Sequence, residues 1–125
     1  MDTGGEGTQR RLLVLEVFAG ILPGAVACKE LGIAADHVYV ESDAHAIAVI
    51  EEQWPEAEKL AGKSDVSQIT EADVVQMVAT YRPTYIFLMG GPPCQDVSKA
   101  NLGGAGAMGP RSSLRQRFKD IYIYV

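Results

Sequence analysis

The residues best suited to chemistry form the run Gly90-Gly91-Pro92-Pro93-Cys94-Gln95, which holds one of the two cysteines of the chain. It follows an apolar stretch, residues 85–89, that is typical of a buried strand. The glycines let another group approach the backbone closely, and the prolines fix φ and remove two amide donors. A thiol held on a stiff loop at a strand end is placed for nucleophilic attack, whereas the alternative is a cysteine that only packs in the core.

A nucleophilic Cys94 must be a thiolate, so nearby cations or donors must lower its pKa. Lys99 and Arg111 are candidates because they follow closely in the sequence. The net charge of −5 taken alone argues against a nucleic-acid partner. However, residues 1–94 carry 6 basic and 14 acidic side chains, whereas residues 95–125 carry 5 basic and 2 acidic ones. The basic segment after Cys94 is therefore either a phosphate-contacting surface or a solvated helix face.

Three further positions could bind a ligand, and each follows a predicted strand. Gly20 and Gly24 form a turn that places amide donors and a helix N-terminus at a ligand, although their spacing is not that of a pyrophosphate-binding GxGxxG. Glu41 can accept hydrogen bonds from both ribose hydroxyls of an adenosine ligand. Asp65 can accept from an adenine amino group, and Val66 can contact the ring. A simple tight turn and ordinary exposed acids are the alternatives.

The elements that must position these residues alternate between strand and helix. Strands are predicted at residues 12–17, 38–41, 59–61 and 85–89, and helices at residues 24–31, 44–53 and 70–81. Gly32, either Ser42 or Asp43, and Thr70 are the predicted helix caps. This order predicts an α/β fold with a Rossmann-like, doubly wound and mainly parallel sheet. Residues 103–109 read as a glycine-rich mobile loop, and residues 112–124 as a helix or a helix-to-strand segment.

A chain of 125 residues forms at most one domain. Residues 1–10 are predicted to be a flexible tail, and no apolar run approaches the length of a membrane span. Two cysteines form no disulfide framework, which favours a reducing compartment. His37 and His45 form no cluster at metal-ligand spacing, so no metal site is predicted.

Taken in order, these residues resemble the amino-terminal part of the catalytic domain of an S-adenosylmethionine-dependent DNA (cytosine-5)-methyltransferase. Residues 18–21 resemble its cofactor turn, Val40-Glu41 its ribose-binding acid, Asp65-Val66 its adenine contact and residues 91–95 its catalytic loop. The resemblance covers roughly residues 11–114 and implies S-adenosyl-L-methionine as cofactor, DNA as partner and Cys94 as catalytic nucleophile. The cofactor-binding residues that it implies are Phe18, Ala19, Gly20, Ile21, Leu22, Glu41, Asp65, Val66 and Pro92.

In that family a cysteine thiolate adds to carbon 6 of a flipped cytosine, and carbon 5 then takes the methyl group. By this resemblance residues 103–109 would close over the DNA. Residues 96–98 and Asn101 resemble the de novo branch, whereas Gln95 is typical of bacterial and maintenance enzymes.

The chain also departs from the family pattern. Leu22-Pro23 stand where small residues usually follow the glycine, and residues 115–119 differ from the usual aromatic and acidic continuation. The family's Glu-Asn-Val motif and target-recognition region do not occur, so residues 11–125 are expected to be a partial, truncated catalytic domain with little turnover alone.

Other functions remain open: a tRNA cytosine-5 methyltransferase, a non-catalytic cofactor- or partner-binding module derived from the fold, or an unrelated nucleotide-binding oxidoreductase. The missing GxGxxG argues against the last. The expected location is the nucleus in a eukaryote and otherwise the cytoplasm, with no membrane partner. The apolar edge left on the fourth strand leaves homo- or hetero-oligomers open.

Overall fold

The structure is a computed structural model, and it describes residues 11–91 and 119–121. Four parallel strands form one sheet in the order β3-β2-β1-β4. The strands are β1 (Leu12–Val17), β2 (Asp36–Val40), β3 (Glu58–Lys59) and β4 (Tyr85–Gly90). The helices between them are α1 (Pro23–Leu31), α2 (Ala44–Gln53) and α3 (Glu71–Tyr81). Residues 119–121 are helical, whereas the predicted glycine-rich loop at residues 103–109 lies outside the described residues.

Local signals set the helix boundaries, as predicted. Pro23 occupies the first turn of α1, and Gly32 ends that helix in the left-handed region at φ +70°. The Asp43 carboxylate caps α2 by accepting from the Ala46 amide at 2.9 Å. A reciprocal capping box between Thr70 and Asp73 begins α3.

The sheet has helices on both faces. On one face, Leu13 and Leu15 of β1 pack in a core with Val74 and Met77 of α3. On the other face, the core combines Tyr39 of β2 with residues of α1 and α2, among them Ala25 and Ile50. The prediction of a doubly wound, parallel, Rossmann-like α/β fold is therefore confirmed for the described part of the chain.

Three strands differ from their predicted bounds: β4 ends one residue later, at Gly90, and β2 and β3 differ at both ends. Strand β2 begins at Asp36 because it pairs with β1 from Leu13 onward, and it ends at Val40. Strand β3 was predicted at residues 59–61, but Leu60 turns inward to 2% exposure and begins a short 3₁₀ helix, Leu60–Gly62. No helix in residues 11–91 or 119–121 is long and apolar enough to cross a membrane.

Candidate functional site

A cleft of about 300 Å³ lies at the carboxyl ends of β1 and β2, and the segment that follows β3 in the chain also lines it. Parallel strands bring their carboxyl ends to one edge of the sheet, which is where such folds bind ligands. Five of the residues predicted to bind a cofactor line this cleft together: Phe18, Gly20, Glu41, Asp65 and Val66. Its other lining residues are Val40, Ser42 and Ser64.

The turn after β1, residues 18–22, has an unusual backbone. Phe18, Gly20 and Leu22 all have positive φ, at 59°, 61° and 69°. Glycine adopts this region without strain, but Phe18 and Leu22 do so at a cost of roughly 1–2 kcal/mol each. Strain of this kind persists only where surrounding contacts enforce it, and it is concentrated at functional sites.

The end of β2 supplies those contacts. The amides of Phe18 and Ala19 both donate to the Val40 carbonyl, at 2.9 and 3.3 Å. The next amide, that of Gly20, donates to Glu41 Oε1 at 2.7 Å. Three successive amides of the turn are therefore bound to the neighbouring strand end.

Glu41 is held by backbone groups on both of its carboxylate oxygens. Besides the Gly20 bond, Oε2 accepts from the Asp43 amide at 2.9 Å. Each carboxylate oxygen has two acceptor sites, so each oxygen keeps a second site after binding one amide. Glu41 is thus fixed in place and still able to accept from two vicinal hydroxyls.

Asp65 is the second acid that lines the cleft. Its Oδ1 accepts from the hydroxyl of Ser67 at 2.7 Å and from the amide of Ser67 at 2.9 Å, which caps the 3₁₀ helix Val66–Gln68. Both bonds lower the pKa of Asp65 below its usual value, and the bond from the Ser67 hydroxyl has the larger effect. The side chain is therefore an anionic acceptor beside Val66, which is only 6% exposed.

The remaining predicted site residues are not brought into the cleft lining. Ala19 and Leu22 are 4% and 0% exposed and pack in the core with Tyr39 and Ile50. Ile21 lies between them, exposed at the tip of the turn. Pro92, Cys94, Lys99 and Arg111 lie outside the described residues.

Glu16 is a buried acid whose role the sequence did not reveal. It lies in β1 at 2% exposure, and its Oε1 accepts from the Gly24 amide at the start of α1 at 2.9 Å. Its Oε2 is buried without a hydrogen-bond partner. Burial raises the pKa of Glu16, while the Gly24 amide that binds it and the nearby Ala25 amide act to lower it. The sequence does contain a signal for this contact, namely an acid inside an apolar strand, eight residues before a glycine at the start of a helix.

The structure corrects one inference about the turn. We expected its amides and the start of α1 to face a ligand, but the Gly20 amide is used by Glu41 and the Gly24 amide by Glu16. The charged residues lining the cleft are both acidic, Glu41 and Asp65, and no Lys or Arg of the described ranges lines it. This environment favours a neutral or cationic ligand over a phosphate.

A second cavity of about 260 Å³ lies beside β3 and α3, and its lining includes Glu58, Thr80 and Tyr81. Tyr81 donates to the Glu58 carboxylate, and burial raises the pKa of the phenol, with Glu58 adding to this effect. Within residues 11–91 and 119–121, no group of three or more His, Cys, Asp or Glu could hold a metal ion.

No model of a protein family matches the chain, and a search of curated proteins finds no match. The chemistry of the cleft is therefore inferred from its own residues.

Proposed function

We propose that the chain binds S-adenosyl-L-methionine in this cleft and belongs to a methyltransferase that acts on carbon 5 of cytosine in DNA, with Cys94 as nucleophile. One observation carries the proposal. The cleft gathers a strained turn, a doubly anchored acid and an acid beside an apolar residue at three successive strand ends, in the order expected for a nucleoside cofactor.

The residues present fit the parts of this cofactor. Glu41 would accept from the two ribose hydroxyls, and Asp65 would accept from the adenine amino group. Val66 and Phe18 provide apolar contacts for the ring. The acidic lining suits a ligand with a net positive charge, which this cofactor has because its sulfonium and ammonium outweigh its one carboxylate and it carries no phosphate. When bound, this cofactor supplies the methyl group.

The position of Cys94 in the chain supports its role. Val17, the last residue of β1, pairs with Gly90, the last residue of β4, so both strands end at the same level beside the cleft. Cys94 follows Gly90 by four residues, a length of chain that spans at most about 14 Å.

The proposed reaction is covalent. The Cys94 thiolate would add to carbon 6 of cytosine, which makes carbon 5 nucleophilic enough to take the methyl group as the methyl–sulfonium bond breaks and S-adenosylhomocysteine leaves with the electron pair of that bond. The proton on carbon 5 then leaves to solvent, and the electron pair of that bond restores the ring double bond as the thiolate is expelled. A cytosine in a duplex must first leave the stack, at a cost of a few kcal/mol.

Calorimetry with S-adenosylhomocysteine tests the cofactor assignment. We expect Glu41→Ala to weaken binding by about 10- to 100-fold, because two charge-assisted hydrogen bonds to the ribose are lost. Glu52→Ala, which removes an exposed acid of α2, is the matched control and should bind as the unmodified chain does. Equal affinities in all three proteins would contradict the ribose assignment.

Covalent trapping tests the catalytic part. A single-stranded oligonucleotide with 5-fluorocytosine cannot lose fluorine as a cation, so its methylated adduct with the cysteine persists. Trapping needs only one slow turnover, so even a chain with little activity should, with the cofactor present and after long incubation, give an adduct that mass spectrometry detects, that Cys94→Ser abolishes and that Cys28→Ser retains. Cofactor binding without any adduct would contradict the enzyme assignment and favour a non-catalytic cofactor-binding module.

A further inference from the structure

We propose that Glu16, a buried acid outside the cleft lining, determines the ligand specificity of the cleft: its carboxylate occupies the start of α1 and excludes nucleotides that carry a 5′-phosphate. This inference rests on the proposed function, because it requires the cleft to bind an adenosine group. In parallel α/β folds, the first turn of the helix after β1 is the usual binding position of a nucleotide phosphate. In this chain a side chain of the protein holds that position.

The geometry leaves no room for an anion. Glu16 Oε1 takes the Gly24 amide at 2.9 Å, and Pro23 has no amide hydrogen to offer. A Cβ on Gly24 would lie 2.6 Å from Glu16 Oε2, so the carboxylate touches the helix backbone directly. A phosphate at this position would meet the Gly24 amide, which already donates to Glu16, the Pro23 nitrogen, which has no hydrogen to donate, and the Glu16 carboxylate itself.

A ribose bound at Glu41 would lie beside Gly20, and a 5′ substituent that follows the turn from Gly20 would approach the start of α1. Glu41 contacts Gly20 at 2.7 Å, and the turn runs from Gly20 into the first residue of α1. The unpartnered Oε2 of Glu16 is buried there. Burial disfavours the charged form of Glu16, so a cationic 5′ substituent both favours ionisation of this acid and is attracted by it, whereas a phosphate is repelled by the carboxylate.

Two titratable groups close to Glu16 do not neutralise its charge. Cys28 on α1 interacts electrostatically with Glu16, and burial together with Glu16 raises the pKa of its thiol. Tyr39 of β2, which pairs with Glu16 of β1, also has a pKa raised by burial. Both side chains are therefore uncharged at neutral pH, and neither compensates a carboxylate.

The test compares adenosine, S-adenosylhomocysteine and ADP by calorimetry at neutral pH without divalent cations. We expect the full chain to bind adenosine and S-adenosylhomocysteine and to bind ADP more weakly than adenosine. Glu16→Gln removes the charge while keeping the shape, and it should raise the affinity for ADP relative to adenosine by about three- to thirtyfold. Glu52→Gln makes the same change in net charge on exposed α2 and should leave the ratio unchanged.

Two results separate this inference from the proposed function. If the full chain binds ADP as tightly as adenosine, or if Glu16→Gln leaves the ratio unchanged, the role of Glu16 is wrong while the cofactor assignment stands. If the full chain binds neither adenosine nor S-adenosylhomocysteine, the proposed function is wrong and the inference is wrong with it. Weaker ADP binding by the unmodified chain is also expected from Glu41 and Asp65, so the variant supplies the support for Glu16, and ADP binding as tight as that of adenosine contradicts its role even if the variant does not fold.

Discussion

The Gly20 amide donates to the Glu41 carboxylate at 2.7 Å, which ties the turn after β1 to the residue that follows β2. The same carboxylate accepts from Asp43, the cap of α2. One side chain therefore fixes the strained turn and the start of α2 while lining the cleft. A ligand that hydrogen-bonds to Glu41 would meet a site that is already organised, which lowers the entropic cost of binding.

Gly24→Ala should destabilise the fold through a steric clash. Its added Cβ would lie 2.6 Å from Glu16 Oε2 and 2.8 Å from Met89 Sδ, contacts that require both side chains to move. We expect urea unfolding to show a loss of about 1–3 kcal/mol. Gly91→Ala is the control, since a Cβ there meets nothing within 4 Å. Similar stabilities for the two variants would contradict the close packing of Glu16 against α1.

His37 should make stability fall on mild acidification. Its Nδ1 is buried without a partner, and burial lowers the pKa of the imidazole, although Asp36 acts to raise it. Because the unfolded chain takes up the proton first, this contribution is fully present above the unfolded pKa of about 6.5 and is lost below it, at up to about 1.4 kcal/mol per pH unit. His37→Gln should flatten the decline between about pH 6.5 and 5.

The matched control for His37 is His45→Gln, which replaces the other histidine, exposed on α2. The decline should persist in that variant when unfolding is followed across the same pH range. If stability declines as steeply in His37→Gln as in the unmodified chain, the decline comes from groups other than His37.

Asp65→Asn should remove discrimination between adenosine and inosine. A carboxylate can only accept, so it favours the amino group of adenosine over the carbonyl of inosine by about tenfold or more. The asparagine amide can both donate and accept, and its oxygen can still accept from Ser67. Calorimetry should therefore give nearly equal affinities in the variant. An unchanged preference would place the adenine edge elsewhere.

Much of the fold could be predicted from the sequence because its signals are local. The apolar run of β1 and the caps Asp43 and Thr70 set three elements at or within one residue of their predicted bounds. The bounds of β3, predicted at residues 59–61, could not be set in this way, because the two residues of the observed strand are defined by pairing with Val38 and Tyr39 of β2. Pairing between distant segments leaves little local pattern.

The candidate site divides in the same way. The positions of Glu41 and Asp65 follow from strand ends, which the sequence indicates. The role of Glu16 depends on how α1 packs over β1, which the sequence does not indicate. Position 24 requires glycine because Glu16 lies against the helix there, and not because of the turn. Leu22 was expected at the cofactor but is fully buried, because its side chain turns into the core beneath α1.

The central claim is that an adenosine cofactor binds at the ends of β1 and β2, and an amide-resolved NMR titration with S-adenosylhomocysteine tests it most directly. We predict shifts concentrated at residues 18–22, 41–43 and 64–66, with none at the second cavity around Glu58 and Tyr81. Shifts confined to that second cavity, or no shifts at saturating ligand, would contradict the claim.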